Sequence, residues 1–391
     1  MSISPGADHR AYPMNPAPRR AAVGLGTSST PARRNRMMLP LERERIRSAW
    51  EGRISGCLLG KPVEMLSMLR GREALMDYLR EAEALPLRDY VPCVGGSFVE
   101  LTGRPCCRGF LKRCEPDDDI NYTVLALHLL EEHGLELSTV DVGRAWLRML
   151  PAGATFTAER AAYRTLLERA GEHFASGAPP RFDLAECARN EYAEWIGAQI
   201  RADLYGWVCP GRPDLAADLA RRDAALSHTG DGVHGAVFVA ALGAAIPTTG
   251  QLSRAVELAA QQIPRESGAA EAIAFGTSLV DRPDAVDQLH HRYGELSPVH
   301  TLNNLALVVW ALLSGADDYS AAVGEAVSAG WDTDCNGATV GGLWGLQGKP
   351  VPRHWTEPWR GRVAVTLAGV GELDLDELVE RTMTVARALL A

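Results

Sequence analysis

Three consecutive aspartates, Asp117-Asp118-Asp119, run into an apolar stretch that begins at Ile120. One aspartate ahead of a helix is a cap, because its carboxylate satisfies free N–H groups and the positive end of the helix dipole. Three in a row repel one another, and Glu115 adds a fourth negative charge. A bound cation would relieve that repulsion. Taken alone, the segment also reads as an acidic, solvated helix start. A second pair, Asp332 and Asp334, stands in Gly330-Trp331-Asp332-Thr333-Asp334-Cys335, again just ahead of a predicted helix. That helix carries Gly337, Gly341 and Gly345 four residues apart, a stripe that lets another backbone approach closely and places the helix start deep in the fold. Carboxylates buried there without a partner are expensive. A metal ion shared by the two clusters supplies the partner, and oxygen ligands favour Mg²⁺ or Mn²⁺ over Zn²⁺.

A third stretch repeats the small-residue spacing at Gly52, Gly56 and Gly60, followed by Lys61-Pro62-Val63-Glu64. Pro62 is expected to push Lys61 out of helical geometry, which puts Glu64 just past the helix end. On its own Glu64 is a surface acid.

The elements that must position these residues read as helices almost throughout. Spacing of the 3.6 type predicts helices over 41–59, 120–133, 138–150, 157–170, 214–225, 235–246, 252–261, 305–313 and 373–390. Pro116 suits a first helical turn, Pro213-Asp214 starts a helix, and Ser138 with Asp141 makes an S-x-x-D start. Gly134 and Gly171 stop others. Residues 90–110 are rich in Gly and Pro and read as a long irregular loop, and strands are hard to find. The expected fold class is therefore all-α, with one large helical domain over 39–391. Residues 1–38, with five prolines, six arginines and no periodicity, read as a flexible basic arm.

Composition narrows the function. The chain has 391 residues, 46% hydrophobic and 23% charged, with a net charge of −9. Six Arg and one Asp fall in the first forty residues, which leaves 34 basic against 48 acidic residues after them. A body that acidic fits nucleic acid poorly. The longest apolar stretches, 235–246 and 305–315, are shorter than the ~18 residues of a membrane span. Neither a nucleic-acid nor a membrane partner is expected. Eight cysteines in a large chain without an apolar leader read as reduced thiols in the cytoplasm. Cys106, Cys107 and Cys114 cluster, but without a second C-x-x-C pair they read as ordinary thiols rather than a zinc site.

Taken together, the three stretches resemble the ADP-ribosylglycohydrolase family, which includes dinitrogenase-reductase-activating glycohydrolase and the ADP-ribosyl-acceptor hydrolases. The family's opening helix, G-x-x-x-G-x-x-x-G-x-P-x-E, is matched by Gly52 through Glu64. Its T-D-D-T motif falls on Asp117-Asp118-Asp119-Ile120, and its G-G-D-T-D-T motif on Gly330 through Cys335. IGAQIRADLYGW (196–207), SHTGDGVHG (227–235) and TLNNLALV (301–308) also resemble bacterial members. The resemblance runs from about residue 41 to the C-terminus, in order. It implies an orthogonal all-α bundle with two Mg²⁺ ions (Mn²⁺ as an alternative) in a cleft that binds ADP-ribose and hydrolyses its glycosidic bond to an acceptor. By position it makes Asp118, Asp119, Asp332 and Asp334 metal ligands. Asp117 and Cys335 stand where the family has a ligating Thr. Glu64 corresponds to the acidic residue beside the scissile bond, with Asp118 and Asp334 completing the catalytic set.

Such a bond breaks through an oxocarbenium-like transition state. Metal ions grip ribose hydroxyls and activate water, while Glu64 serves as base or stabilises the ring cation. Cys335 for Thr swaps a hard oxygen for soft sulfur and weakens one Mg²⁺ position. Ser227, His228, Asn304 and Trp331 are expected to line the substrate, with His234 across a glycine-rich turn from His228. The preferred substrate is an ADP-ribosylated protein side chain. The alternatives are a small N- or O-riboside or ADP-ribosylated metabolite, and a non-catalytic ADP-ribose-binding relative.

Overall fold

Two glycine stripes face each other and organise the chain. In the computed structural model, which describes residues 42–391, the helix Arg43–Glu81 packs antiparallel against the helix Thr333–Gly345. A Cβ on Gly52 would strike the Gly341 carbonyl, one on Gly56 the Gly337 carbonyl, and one on Gly60 the backbone at Thr333 and Asp334. No side chain fits between the two backbones. The expectation for residues 1–38 lies outside the described residues.

The first helix does not stop at Pro62. It runs on to Glu81, with a kink at Gly71 (φ 79°, ψ 176°). Proline's fixed φ is helical, so what it removes is a single i−4 bond. Just upstream, the Thr333 hydroxyl donates to the Gly60 carbonyl at 2.9 Å. Pro62 is buried, and Gly103 supplies the space beside it. Glu64 therefore sits inside the helix, one turn beyond Gly60 on the glycine face, rather than past its end.

Every helix expected from periodicity is present, shifted by a few residues at most ends. Asp118–His133 is capped by Asp117, which leaves Pro116 outside it. Ser138 and Asp141 form a reciprocal capping box on Thr139–Met149. Pro213 opens Pro213–Ala224. Gly134 ends its helix at φ 54°. Among helices of nine or more residues, three were not legible: Gly268–Ser278, Ala285–Tyr293 and Tyr319–Ser328. The first and last are rich in Ala, Gly and Ser, which give little apolar contrast between faces. Residues 90–110 are largely irregular, with one short helix at Phe98–Gly103. The described residues hold one two-stranded antiparallel sheet, Arg362–Ala364 with Glu372–Asp374, pairing Val363 with Leu373. The fold is all-α.

Gly230–Thr249 is longer than the apolar run within it and has the length and composition of a membrane-crossing helix. Most of it is buried among other helices of this chain, from Gly235 through Ile246 without a break. Trp50 and Trp207 meet edge to face at 5.1 Å in the same core.

Candidate functional site

The antiparallel register brings the turn after Gly60 to the start of Thr333–Gly345, so Glu64 meets Asp332 and Asp334. Ligand-type oxygens of these three residues lie within 4.8 Å of one another. The N-terminus of Asp118–His133 enters from another side. There Asp119 joins Asp334 and the Cys335 sulfur in a second group, and Cys57, Asp117 and Asp119 form a third, under the same 4.8 Å limit. Asp119, Asp332 and Asp334 are 0%, 3% and 2% exposed. Both aspartate motifs stand at helix N-termini, where backbone N–H groups favour negative charge. The turn into the second helix is strained: Gly330 and Trp331 both have positive φ, 90° and 60°, and for tryptophan that conformation is costly.

Two cations, Arg53 buried and Lys61 half-buried, hold the aspartates in place. The Arg53 guanidinium is fully buried. Its Nε donates to Thr123 Oγ1 at 2.7 Å, and its Nη2 donates to the Asp119 carbonyl at 3.0 Å and to Asp119 Oδ1 at 2.9 Å. It also pairs with Asp203 and donates to the Ile200 carbonyl. Lys61, three residues before Glu64, pairs with Asp117 Oδ2. Asp117 Oδ1 accepts the Asp119 backbone N–H at 2.9 Å. Both oxygens of Asp117 are thus committed to the protein. In contrast, Asp119 Oδ2 and Asp334 Oδ1 are buried with no hydrogen-bond partner among the described residues. Asp118 is half-buried, belongs to none of the three groups, and makes no side-chain hydrogen bond among the described residues.

Crowding of like charge sets the protonation. Burial first, then Asp334 and Asp332, push the Glu64 carboxyl well above its ordinary range. Burial and neighbouring aspartates do the same to Asp118 and Asp332. Asp119 is raised despite Arg53. Asp117 alone of the motif acids goes down, because Lys61 outweighs burial. Cys57 and Cys335 are held as neutral thiols by burial and the adjacent aspartates. Two unpartnered carboxylate oxygens, buried among acids that resist ionising together, suit a divalent ion. Oxygen donors suit Mg²⁺ or Mn²⁺, and a neutral thiol adds little for such ions.

The residues expected to line the substrate divide. Ser227 and His228 belong to a buried network. Arg201 Nη2 donates to Ser227 Oγ at 2.9 Å, and Ser227 Oγ lies 2.8 Å from His228 Nδ1. With Arg201 on the oxygen, the hydroxyl proton goes to Nδ1, so His228 is assigned as the neutral Nε2–H form. Nε2 sits 3.8 Å from Glu159 Oε1. Arg201 also pairs with Glu159 and Asp223, and Tyr205 donates to Asp223 at 2.6 Å. The charge of Glu159 is felt at Asp118, which links this network to the acidic cluster. Asn304 is committed elsewhere. It donates to the Pro298 and His300 carbonyls at 2.8 Å each and accepts from Asn336 at 2.7 Å. Trp331 is buried and stacks on His290 at 4.2 Å. His234 bonds Asp231 at 3.0 Å. A cleft of about 570 Å³ bordered by Arg45, Leu252, Thr277 and Lys349 shares no residue with the cluster and brings together no comparable set of acids.

Arg53, Lys61, Cys57 and Glu159 went unassigned in the sequence. Lys61 carried a signal, standing one turn before Glu64 on the same helix. Arg53 sits between two stripe glycines and carried none beyond its charge, because its partners lie 66 and 150 positions away.

A family model described as ADP-ribosylglycohydrolase matches residues 38–388. A solved structure described as an ADP-ribosylglycohydrolase-related protein complex is similar over 89% of this chain and 100% of that chain, at 19% identity and a TM-score of 0.50, a likeness of fold. No curated protein matches the chain.

Proposed function

The chain belongs to the ADP-ribosylglycohydrolase family, and from that premise we propose that it is a divalent-metal-dependent hydrolase that releases ADP-ribose from a modified protein side chain. The observation that carries the reading is the meeting of Glu64, Asp119, Asp332 and Asp334, with carboxylate oxygens of Asp119 and Asp334 left unpartnered. Asp334 is common to two of the three groups and would hold the ion together with Asp119 and Asp332. A bound Mg²⁺ or Mn²⁺ supplies Lewis acidity and a grip on ribose hydroxyls.

The chain's own residues do the rest. Glu64 is partly exposed at the edge of the cluster. With a cation held by Asp332 and Asp334, the repulsion that favours the proton on Glu64 would be relieved and its carboxylate would be available. Its carboxylate then takes the proton of the water that adds to the ribose carbon and passes it to the departing side-chain atom. Asp118, free of protein hydrogen bonds, accepts a ribose hydroxyl and orients the sugar. Arg53 keeps Asp119 in place from behind. Arg201 holds Ser227 and His228 in a buried network whose Glu159 charge reaches Asp118. The neutral thiols Cys57 and Cys335 suit a reducing compartment, and we place the protein in the cytoplasm.

The test is release of ADP-ribose from ADP-ribosylated protein and, in parallel, from small N- and O-ribosides, with Mg²⁺, Mn²⁺ or chelator. Release from protein that stops with chelator and falls about 10²–10⁴-fold in Glu64→Gln is expected. Turnover confined to small ribosides overturns the protein-substrate assignment. Tight ADP-ribose binding without hydrolysis in excess metal overturns the enzymatic one.

A further inference from the structure

The two halves of the acidic cluster differ in what already occupies them. On one side, Glu64, Asp332 and Asp334 converge with no lysine or arginine bonded to them, and Asp334 Oδ1 and Asp119 Oδ2 are unpartnered. On the other side, around Cys57, Asp117 and Asp119, three of the four carboxylate oxygens are taken. Lys61 pairs with Asp117 Oδ2, the Asp119 backbone N–H uses Asp117 Oδ1, and Arg53 holds Asp119 Oδ1. The third member, Cys57, offers sulfur, a poor donor to a hard ion.

We infer that the Lys61 ammonium takes the place of one divalent cation, so that the centre binds a single Mg²⁺ or Mn²⁺ ion around Asp334. This inference rests on the metal-centre reading above and departs from the two ions that the resemblance implied. Lys61 belongs to the same helix as Glu64 and is three residues away, so the two side chains share a face. It brings one positive charge to the carboxylate that a second ion would need. An ion placed on Asp117 would have to displace that ammonium or sit against it, and like charges at contact distance repel strongly.

The experiment counts ions rather than turnover. Purified full-length protein is equilibrated with Mn²⁺, the metal per chain is measured, and the bound ion is read by electron paramagnetic resonance. Wild type is expected to hold one Mn²⁺ with a mononuclear signal. Lys61→Met is expected to take up a second ion and show a spin-coupled pair. Asp117→Asn retains the cap oxygen and is expected to keep its single ion, with affinity lowered by about 10–100-fold at most. Asp334→Asn is expected to lose the ion. Two coupled ions in the wild type overturn the inference, as does a Lys61→Met protein that still binds one. Should Lys61→Met fail to fold, Asp117→Asn decides: loss of Mn²⁺ as complete as in Asp334→Asn makes Asp117 a ligand and overturns it. No Mn²⁺ in any variant overturns the metal-centre reading as well, whereas two ions in the wild type leave that reading standing.

Discussion

At the residue scale, the carboxylates assigned above to the chemistry depend on two cations for their placement. Arg53 is wholly buried and ties Asp119, Thr123, Asp203 and Ile200 to the first helix. Breaking a buried pair by removing one partner leaves an uncompensated charge, so Arg53→Met is expected to destabilise the fold by about 3–5 kcal/mol in urea unfolding. Glu64→Gln carries a different expectation. Its amide keeps the size of the side chain and removes one of several crowded negative charges, so the urea midpoint should hold or rise while hydrolysis collapses. A Glu64→Gln protein that unfolds early would make Glu64 a structural residue. The acids themselves were legible because three adjacent aspartates are hard to explain as a cap. Arg53 and Lys61 were not, because a cation's importance depends on which distant carboxylate it meets.

At the scale of elements, the glycine stripes set the geometry. Gly52, Gly56 and Gly60 meet Gly341, Gly337 and Thr333 backbone to backbone, and that register delivers Glu64 to Asp332 and Asp334. A methyl group at Gly56 has nowhere to go, since what it strikes is a carbonyl rather than a flexible side chain. Gly56→Ala should cost roughly 1–3 kcal/mol or more, and by separating the helices should lower Mn²⁺ affinity as well. Gly95→Ala is the control: nothing lies within 4 Å of a Cβ there, and both quantities should stay put. The spacing of four announced a close approach, but not which stripe met which. Nor did it reveal that the helix continues through Pro62, because a lost hydrogen bond is tolerated when the surrounding packing holds the segment helical.

For the molecule as a whole, the concentration of buried charge makes stability responsive to protons and to metal. Burial, then Arg201, hold the His228 pKa well below its ordinary 6.5. The unfolded chain takes up a proton near pH 6.5 that the folded chain refuses. The contribution of His228 is therefore intact above that pH and lost as pH falls below it, at about 1.4 kcal/mol per pH unit. His228→Asn should flatten the acid limb of the urea midpoint by that one proton; an unchanged limb would mean that His228 charges in the native state. Metal acts in the opposite sense. Mn²⁺ at about a hundred times its Kd should add about 2.7 kcal/mol to unfolding, and Asp334→Asn should abolish the gain. Residue types and local spacing by themselves determined the helical class, the cap at Ser138, the stripes and the acids, because each is written in neighbours a few positions apart. Only the tertiary structure decided which carboxylates keep a free oxygen, which are neutralised by Arg53 and Lys61, and that Asn304 and Trp331 serve the core. Those outcomes turn on contacts between segments tens to hundreds of residues apart, where burial multiplies the effect of every charge.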